Sequence, residues 1–334
     1  MGKSLKSVVR AAALVTMSAV TVAMWSPPAL AAGPDREAAI AAEVASDATQ
    51  AIDSFGEDIE INSAADDSFR ASSTAFTAVM PADPAVELSM DGQVVDFGIT
   101  LVDGPQPADA TVVDGDLVYQ GDSGAPDYVL DTSSEGLRIM AVLEGPGDGG
   151  TQEYALTLPV GTDAVLNPGG GISIVASAPL GDGQVTAEVA VLAKPWAVDA
   201  EGKPVKTRYE LQGNLLRQVV SPSSQSVYPI TADPTYCTSF CYPFKVYFNK
   251  AESKTAANPG NAGIFIGACT VIGAALGGPV GAGIVGGLCA AQAGAITPTA
   301  QNGVNSRPLR CLRLDLYWPS SVLVPRTYTG SRCN

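Results

Sequence analysis

The chain has 334 residues and no histidine among them. That absence removes the side chain most used as general base, proton shuttle and neutral metal ligand near pH 7. Cysteine is missing before position 237, so any disulfide framework is confined to the last 98 residues. No acid stands between Glu252 and Asp315. Inside that gap the 34 residues from Gly263 to Ile296, GIFIGACTVIGAALGGPVGAGIVGGLCAAQAGAI, carry no charge of either sign. A charge-free run of this length reads either as a membrane crossing or as the core of a small stapled domain.

What is present divides the chain in two. Residues 1–31 read as an export signal: Lys3, Lys6 and Arg10 precede an apolar stretch from Ala11 to Trp25, and Ala29 and Ala31 stand in A-x-A spacing. Cleavage is expected after Ala31, and the apolar stretch of about 15 residues falls short of the roughly 20 that a membrane helix needs. From Ala32 to Tyr236 there are 32 acids against 8 bases, whereas Cys237 to Asn334 has 8 bases against 2 acids. An acidic half of that size keeps an exported protein soluble. The basic tail instead joins positive charge to the apolar run, the combination that favours anionic lipid. All six cysteines, Cys237, Cys241, Cys269, Cys289, Cys311 and Cys333, lie in that tail. With no histidine and an oxidising compartment, three bridges are expected in place of a zinc site at Cys237-x-x-x-Cys241.

Residues 32–70 predict an acidic helix and linker. Ile40, Val44, Ala48, Ile52 and Phe55 recur at helical spacing, and Glu37, Glu43, Asp47 and Asp53 occupy the other face. Residues 71–235 change to short β-type runs: TAFTAVM, VVDFGITL, LRIMAVL, EYALTL, ISIVAS, VTAEVAVL, TRYEL and RQVV. Turns such as Asp91-Gly92, Asp114-Gly115, GPGDGG, NPGGG, Asp182-Gly183 and Glu201-Gly202 separate them. Strands about ten residues apart, joined by such turns, predict a mainly β N-terminal β-sandwich and not a βαβ fold. Residues 236–334 predict a small disulfide-rich α+β domain. In it KVYF is a strand, Asn249-x-x-Glu252 a capping-box start for a short helix, LRCLRLDLYW a strand with one apolar face, and RTYTGSRC a last strand.

The order GDLVYQ, APDYVLDTSSEGLRIMAVLEG, TQEYALTLPVG, LNPGGGISIV, KPWAVDAEGKPVKTRYELQGNLLRQVV and VYPITADPT carries a resemblance. It looks like the β-rich module of secreted and surface proteins of actinobacteria, which closes in a YPV-x-x-DPT signature; here that signature stands as YPITADPT, Tyr228 to Thr235. The marks cover roughly Ala71 to Thr235 and include the A-x-DA-x-G turn at Ala197 to Gly202. The tail, from KVYFNKAES to PRTYTGSRC, resembles the short C-terminal domains that follow the module in similar proteins. The resemblance implies an extracellular scaffold and transfers no catalytic residue.

Several motifs invite chemistry that the rest of the chain does not support. GDSGAP, Gly121 to Pro126, resembles the nucleophile loop of trypsin-like proteases, but that chemistry needs a histidine base; Ser123 reads as a turn residue. Gly281, Gly283 and Gly286 satisfy G-x-G-x-x-G without the acid about 20 residues later that a dinucleotide site needs, so close helix packing explains them. Asp114, Asp116, Asp122 and Asp127 miss the EF-hand spacing and read as solvated turn carboxylates. The aromatic cluster Tyr228, Tyr236, Phe240, Tyr242, Phe244, Tyr247 and Phe248 reads as packing. No catalytic residue, metal, cofactor or nucleic-acid partner is expected.

As one straight helix the charge-free run would be about 50 Å long, well beyond a hydrocarbon core of about 30 Å. Gly277-Gly278-Pro279 should end one helix and start another, giving arms Gly263–Leu276 and Val280–Ile296. Cys269 and Cys289 each lie ten residues from Pro279, so an antiparallel hairpin over 263–296 sets them opposite one another and predicts the bridge Cys269–Cys289. The loop it closes makes it worth about 3 kcal/mol in the chain-entropy model. Cys237 or Cys241 is expected to meet Cys311 and Cys333 in an order left open. The expected function is that of a secreted, non-enzymatic scaffold of the cell surface or wall, bound to a surface or protein partner. The second reading is a membrane-active, toxin-like protein whose hairpin contacts anionic membrane.

Overall fold

In the computed structural model the described residues are 42, 44, 58–73, 76–85, 87–92, 96–102, 110–121, 124–134, 136–180, 183–237, 244–317 and 322–333, with the backbone alone at 92, 237 and 275–281. The segment expected to be an export signal, with Ala31, most of the helix expected over 35–55, Asp122, Ser123 and Cys241 lie outside them.

Five strands open the first sheet as a meander: β1 (Asn62–Ser63), β2 (Ser68–Ser72), β3 (Phe76–Pro81), β4 (Leu88–Gly92) and β5 (Asp96–Leu101). Four more open the second: β6 (Thr111–Val113), β7 (Asp116–Tyr119), β8 (Asp127–Ser133) and β9 (Gly136–Leu143). The chain returns to the first sheet with β10 (Thr151–Thr157), which pairs antiparallel with β5. It then builds β11 (Thr162–Leu166), β12 (Ile172–Leu180) and β13 (Gly183–Leu192) as consecutive antiparallel pairs in the second. After β14 (Trp196–Asp199), β15 (Lys206–Gln212) and β16 (Leu215–Ser221) complete the first sheet beside β10. β17 (Ile230–Asp233) and β18 (Thr235–Cys237) then lie on β9, and β17 also pairs with β14. The pairing is antiparallel throughout, as a sandwich predicts.

Alternation supplies the core. On β3, Phe76, Ala78 and Met80 are buried while Thr77, Val79 and Pro81 are half-exposed, the period of two that puts one face of a strand against another sheet. Phe97, Ile99, Leu101, Tyr154, Leu156 and Leu216 of the first sheet meet Leu117, Tyr119, Leu130, Leu137 and Ile139 of the second in one continuous core. Each such side chain contributes about 1.5–3 kcal/mol by leaving water. Phe97 stacks on Tyr236 across the sheets at 4.3 Å, and the Tyr119 hydroxyl donates to the Pro81 carbonyl at 2.6 Å. β9 departs from alternation, being buried at all eight positions. Its Leu137, Ile139 and Ala141 face the sandwich, while Met140 and Val142 pack with Val118, Val129 and Val44. Ala42 and Val44 are the described helical residues of the segment 35–55, and Val44 covers that outer face.

The C-terminal segment continues the second sheet. β19 (Phe244–Tyr247) pairs with β13, β20 (Cys311–Tyr317) with β19, and β21 (Val322–Tyr328) with β20. Between β19 and β20 lie three helices: α1 (Lys250–Ala256), α2 (Ala262–Ala291) and α3 (Ala293–Asn305). A capping box starts α1, the Asn249 side chain accepting from the Glu252 amide and the Glu252 carboxylate from the Asn249 amide. α2 is not straight. A straight helix would separate Cys269 from Cys289 by about 30 Å at 1.5 Å per residue, yet their Cα atoms are 6.4 Å apart and their sulfurs are joined. Thr270 meets Gly286 in the same register, so the fold-back centres on residues 278–279. The helical hydrogen bonding is carried through this bend and does not stop at Gly277–Pro279 as expected. The second arm ends at Gln292, and Ile296 belongs to α3, where Ile296, Ala300 and Gly303 turn inward.

One face of the hairpin, Phe265, Ala268, Cys269, Ile272, Val285 and Cys289, joins the same core and packs mainly on β12. Thus the apolar side of the second sheet is covered by the first sheet over one part and by the helices over the other. The expectation that Cys311 and Cys333 pair with Cys237 or Cys241 is corrected: Cys311 is bonded to Cys333, with Cα atoms 5.6 Å apart. The β20–β21 hairpin sets Tyr328 beside Cys311, and the turn Ser331–Cys333 carries the last cysteine back to it. The side chains of Cys237 and Cys241 lie outside the described residues.

Candidate functional site

The motifs singled out by sequence have structural partners. At Gly121 the amide donates to Asp127 Oδ1 at 2.5 Å, and a Cβ there would lie 2.6 Å from the carbonyl oxygens of Ala125 and Pro126; the GDSGAP turn is closed too tightly at its first residue for anything but glycine. Asp114 and Gly115 form the β6–β7 turn with φ of 51° and 101°, values that favour Asp, Asn and Gly. Burial, reinforced by the charges of Asp131 and Asp58, pushes the Asp116 carboxyl up to about 7. Among the described residues no three His, Cys, Asp or Glu side chains are grouped to hold a metal ion. Gly286 lies under Thr270, a packing position within the G-x-G-x-x-G match. Tyr236 stacks on Phe97, Phe248 on Phe265, and Tyr247 meets Tyr328 edge-on. Phe240 and Tyr242 lie outside the described residues.

The YPITADPT stretch is a joint between strands. Asp233 is fully buried; the Trp196 amide donates to its Oδ1 and the Thr235 hydroxyl to its Oδ2. Burial outweighs these bonds and the nearby Arg138 charge and raises its pKa to about 7. The Tyr209 hydroxyl donates to the Asp233 carbonyl and the Ile139 amide to that of Pro234. In the A-x-DA-x-G turn, Asp199 accepts from the amides of Glu201, Lys203 and Val227. These two acids hold backbone together.

Across β13, β19 and β20 the side of the second sheet that faces away from the core is polar. On β13, Thr186 and Glu188 alternate with Val185, Ala187 and Val189, which are buried. Cross-strand register sets Tyr247 beside Thr186, Lys245 beside Glu188, Arg313 beside Tyr247 and Asp315 beside Lys245, so one ladder of polar side chains crosses β13, β19 and β20. Asp315 is buried and lies 2.6 Å from Arg313 Nε and 3.0 Å from Arg326 Nε. Glu188 takes the Ser173 hydroxyl at 2.7 Å, Lys245 Nζ at 3.6 Å and Arg332 Nη1 at 3.2 Å. The Arg332 guanidinium also lies over the Tyr247 ring at 4.5 Å, a cation–π contact. Burial and the Glu188 charge raise the Tyr247 phenol against the opposing charges of Arg332 and Arg313.

At the end of this ladder a groove of about 420 Å³ is bounded by Ser177, Gln184, Thr186, Tyr247, Glu252 and Arg332. Glu252 is positioned twice, by its capping box and by the Gln184 amide at 3.1 Å. Burial raises its pKa against the amides of Asn249 and Gln184. The bond Cys311–Cys333 fixes the residue next to Arg332. The lining offers hydroxyls, amides and the carboxylates of Asp163 and Glu252 beside a cation held in place by stacking and pairing, with Val165 and Val175 adding apolar surface, a set that can hydrogen-bond a ligand and pack on its apolar faces. Sequence reasoning missed Ser177, Gln184, Thr186 and Glu188. For Gln184, Thr186 and Glu188 the available signal was the polar alternation within GQVTAEVAVL, which marks a strand with a second exposed face. Comparison with known proteins finds no matching family model, no matching curated protein and no matching solved structure.

Proposed function

We propose that the protein is an exported, non-enzymatic binding protein of the cell surface or wall, of the kind implied by its resemblance to the actinobacterial β-rich module, and that its ligand occupies the groove beside Tyr247 and Arg332. The observation that supports this reading is that the groove takes Ser177 and Thr186 from the module and Tyr247, Glu252 and Arg332 from the tail, so the two halves together make one lined surface. A polyhydroxylated or amide-bearing wall polymer has the hydrogen-bonding groups that this lining would meet.

The test is sedimentation of residues 32–334, which include every described residue, with insoluble peptidoglycan. Wild type is expected in the pellet, and Thr186→Trp, which fills the groove from an outward-facing position, in the supernatant with its melting temperature kept. Equal sedimentation of both would move the ligand elsewhere. Release of soluble fragments during incubation would replace binding with hydrolysis.

A further inference from the structure

The acids and bases of the tail are sorted by position. Residues 244–333 contain two acids, Glu252 and Asp315, which are 3 % and 2 % exposed. Asp315 and the ladder acid Glu188 together engage Lys245, Arg313, Arg326 and Arg332 on the outer face of the sheet. The remaining four bases, Lys250, Lys254, Arg307 and Arg310, are exposed on the helical layer and on the loop after it. None of the four forms an ion pair with a described residue. Lys250 and Lys254 share the face of α1 opposite Glu252, Ser253 and Ala256, which are buried, so both turn away from the sheet.

The turn Pro259–Asn261 joins α1 to the α2 hairpin and touches both. The hairpin's inward residues are Phe265, Ala268, Cys269, Ile272, Val285 and Cys289. Ile264, Gly267, Val271, Gly283 and Gly287 are exposed. Ile264 and Val271 are each 46 % exposed, and a Cβ on any of those three glycines would touch nothing. The hairpin holds no charge that would have to be desolvated on contact with an apolar phase.

We infer that the helical layer is a docking surface for anionic lipid, with Lys250, Lys254, Arg307 and Arg310 meeting headgroups and Ile264 and Val271 entering the interface. Charge complementarity selects an anionic surface, and the adjoining uncharged aliphatic face selects lipid over a soluble polyanion. At physiological salt the module's acids act on this contact only from within about 8 Å. The disulfide-clipped hairpin already uses one face on β12, so the contact is peripheral and leaves the bilayer sealed.

The test is co-sedimentation of residues 32–334 with vesicles of phosphatidylglycerol and phosphatidylcholine in equal parts, and with phosphatidylcholine alone, at about 0.1 and about 0.5 M salt, on either side of physiological screening. Binding is expected on the anionic vesicles alone, falling at the higher salt, without release of trapped dye. A basic residue near the surface is worth about fivefold in binding, so Lys250→Gln with Lys254→Gln should weaken it roughly 25-fold. Ile264→Ser with Val271→Ser should weaken it at unchanged charge, and the melting temperature of each variant shows that it folds. Equal binding to neutral vesicles, or no effect of the lysine pair, overturns the proposal. Full displacement by soluble polyphosphate with no effect of the Ile264 and Val271 changes assigns the surface to a polyanion, and dye release assigns the hairpin to insertion. Thr186→Trp should bind vesicles as wild type does, which separates this surface from the groove.

Discussion

Alanine at Gly286 and at Gly287, adjacent positions in the second arm of α2, should move stability in opposite directions. A Cβ on Gly287 has nothing within 4 Å, so Gly287→Ala should stabilise by about 0.5–1 kcal/mol, the helical cost of glycine relative to alanine. A Cβ on Gly286 would fall on the Thr270 hydroxyl, closer than van der Waals contact allows, with Thr270 Cβ at 3.4 Å and Cα at 3.6 Å behind it. That hydroxyl donates to the Ile266 carbonyl at 2.9 Å, so it cannot swing aside without losing its partner. Overpacking costs about 1–3 kcal/mol, and after the same propensity gain Gly286→Ala should destabilise by roughly 0.5–2 kcal/mol. Thr270→Ala combined with Gly286→Ala removes the colliding oxygen and should recover most of that loss. Urea denaturation of the four proteins, each checked by intact mass for its disulfides, measures the differences. If Gly286→Ala stabilises as much as Gly287→Ala, the two arms do not meet at Thr270 and the fold-back described above is wrong.

Other outcomes are open to simple measurement. Replacing Cys311 and Cys333 with serine removes a bridge with a sequence separation of 22 and should cost about 3 kcal/mol, read as a lower urea midpoint. The same double substitution should weaken the proposed binding to wall polymer through the loss of Arg332 from its place over Tyr247. Asp116→Asn tests the carboxyl that burial raises to about 7. Its native state holds a proton that the unfolded state releases above about pH 4, so wild-type stability falls as pH rises from about 4 to about 7 and is level above that. Melting temperatures measured from about pH 4 to about pH 8 should show the Asp116→Asn variant gaining on wild type across that window; a constant difference between the two would refute the assignment.

Of the eight β-type runs read as strands, LRIMAVL, ISIVAS, VTAEVAVL, TRYEL and RQVV lie wholly within strands, the described parts of TAFTAVM and VVDFGITL lie in β3 and β5, and EYALTL runs one residue past β10; a period of two reports directly which residues can share a buried face. The runs passed over, such as DYVLDTS at β8 and ITAD at β17, carry Asp and Ser that are poor in strands on average. β8 is secured by pairing on both edges, with β7 and β9, and Asp233 in β17 by the Trp196 amide and the Thr235 hydroxyl. The capping box at Asn249 was legible for a different reason: both of its bonds join residues three apart. The groove was not legible. Its cation, Arg332, and its counter-charge, Glu188, are 144 residues apart, and nothing periodic connects them.

The amino-acid sequence by itself determined the strand periodicity, the Asp114-Gly115 turn, the start of α1 and the symmetric placing of Cys269 and Cys289 about Pro279. Each rests on interactions between near neighbours, or on a symmetry visible along the chain. Tertiary structure alone decided that β10 joins β5 to β16, that β19 to β21 extend the sheet of β13, that Cys333 meets Cys311, and that β9 is covered on its outer face by Val44. Those outcomes depend on which of many compatible apolar faces and edges meet, and that choice is made by packing the whole core at once.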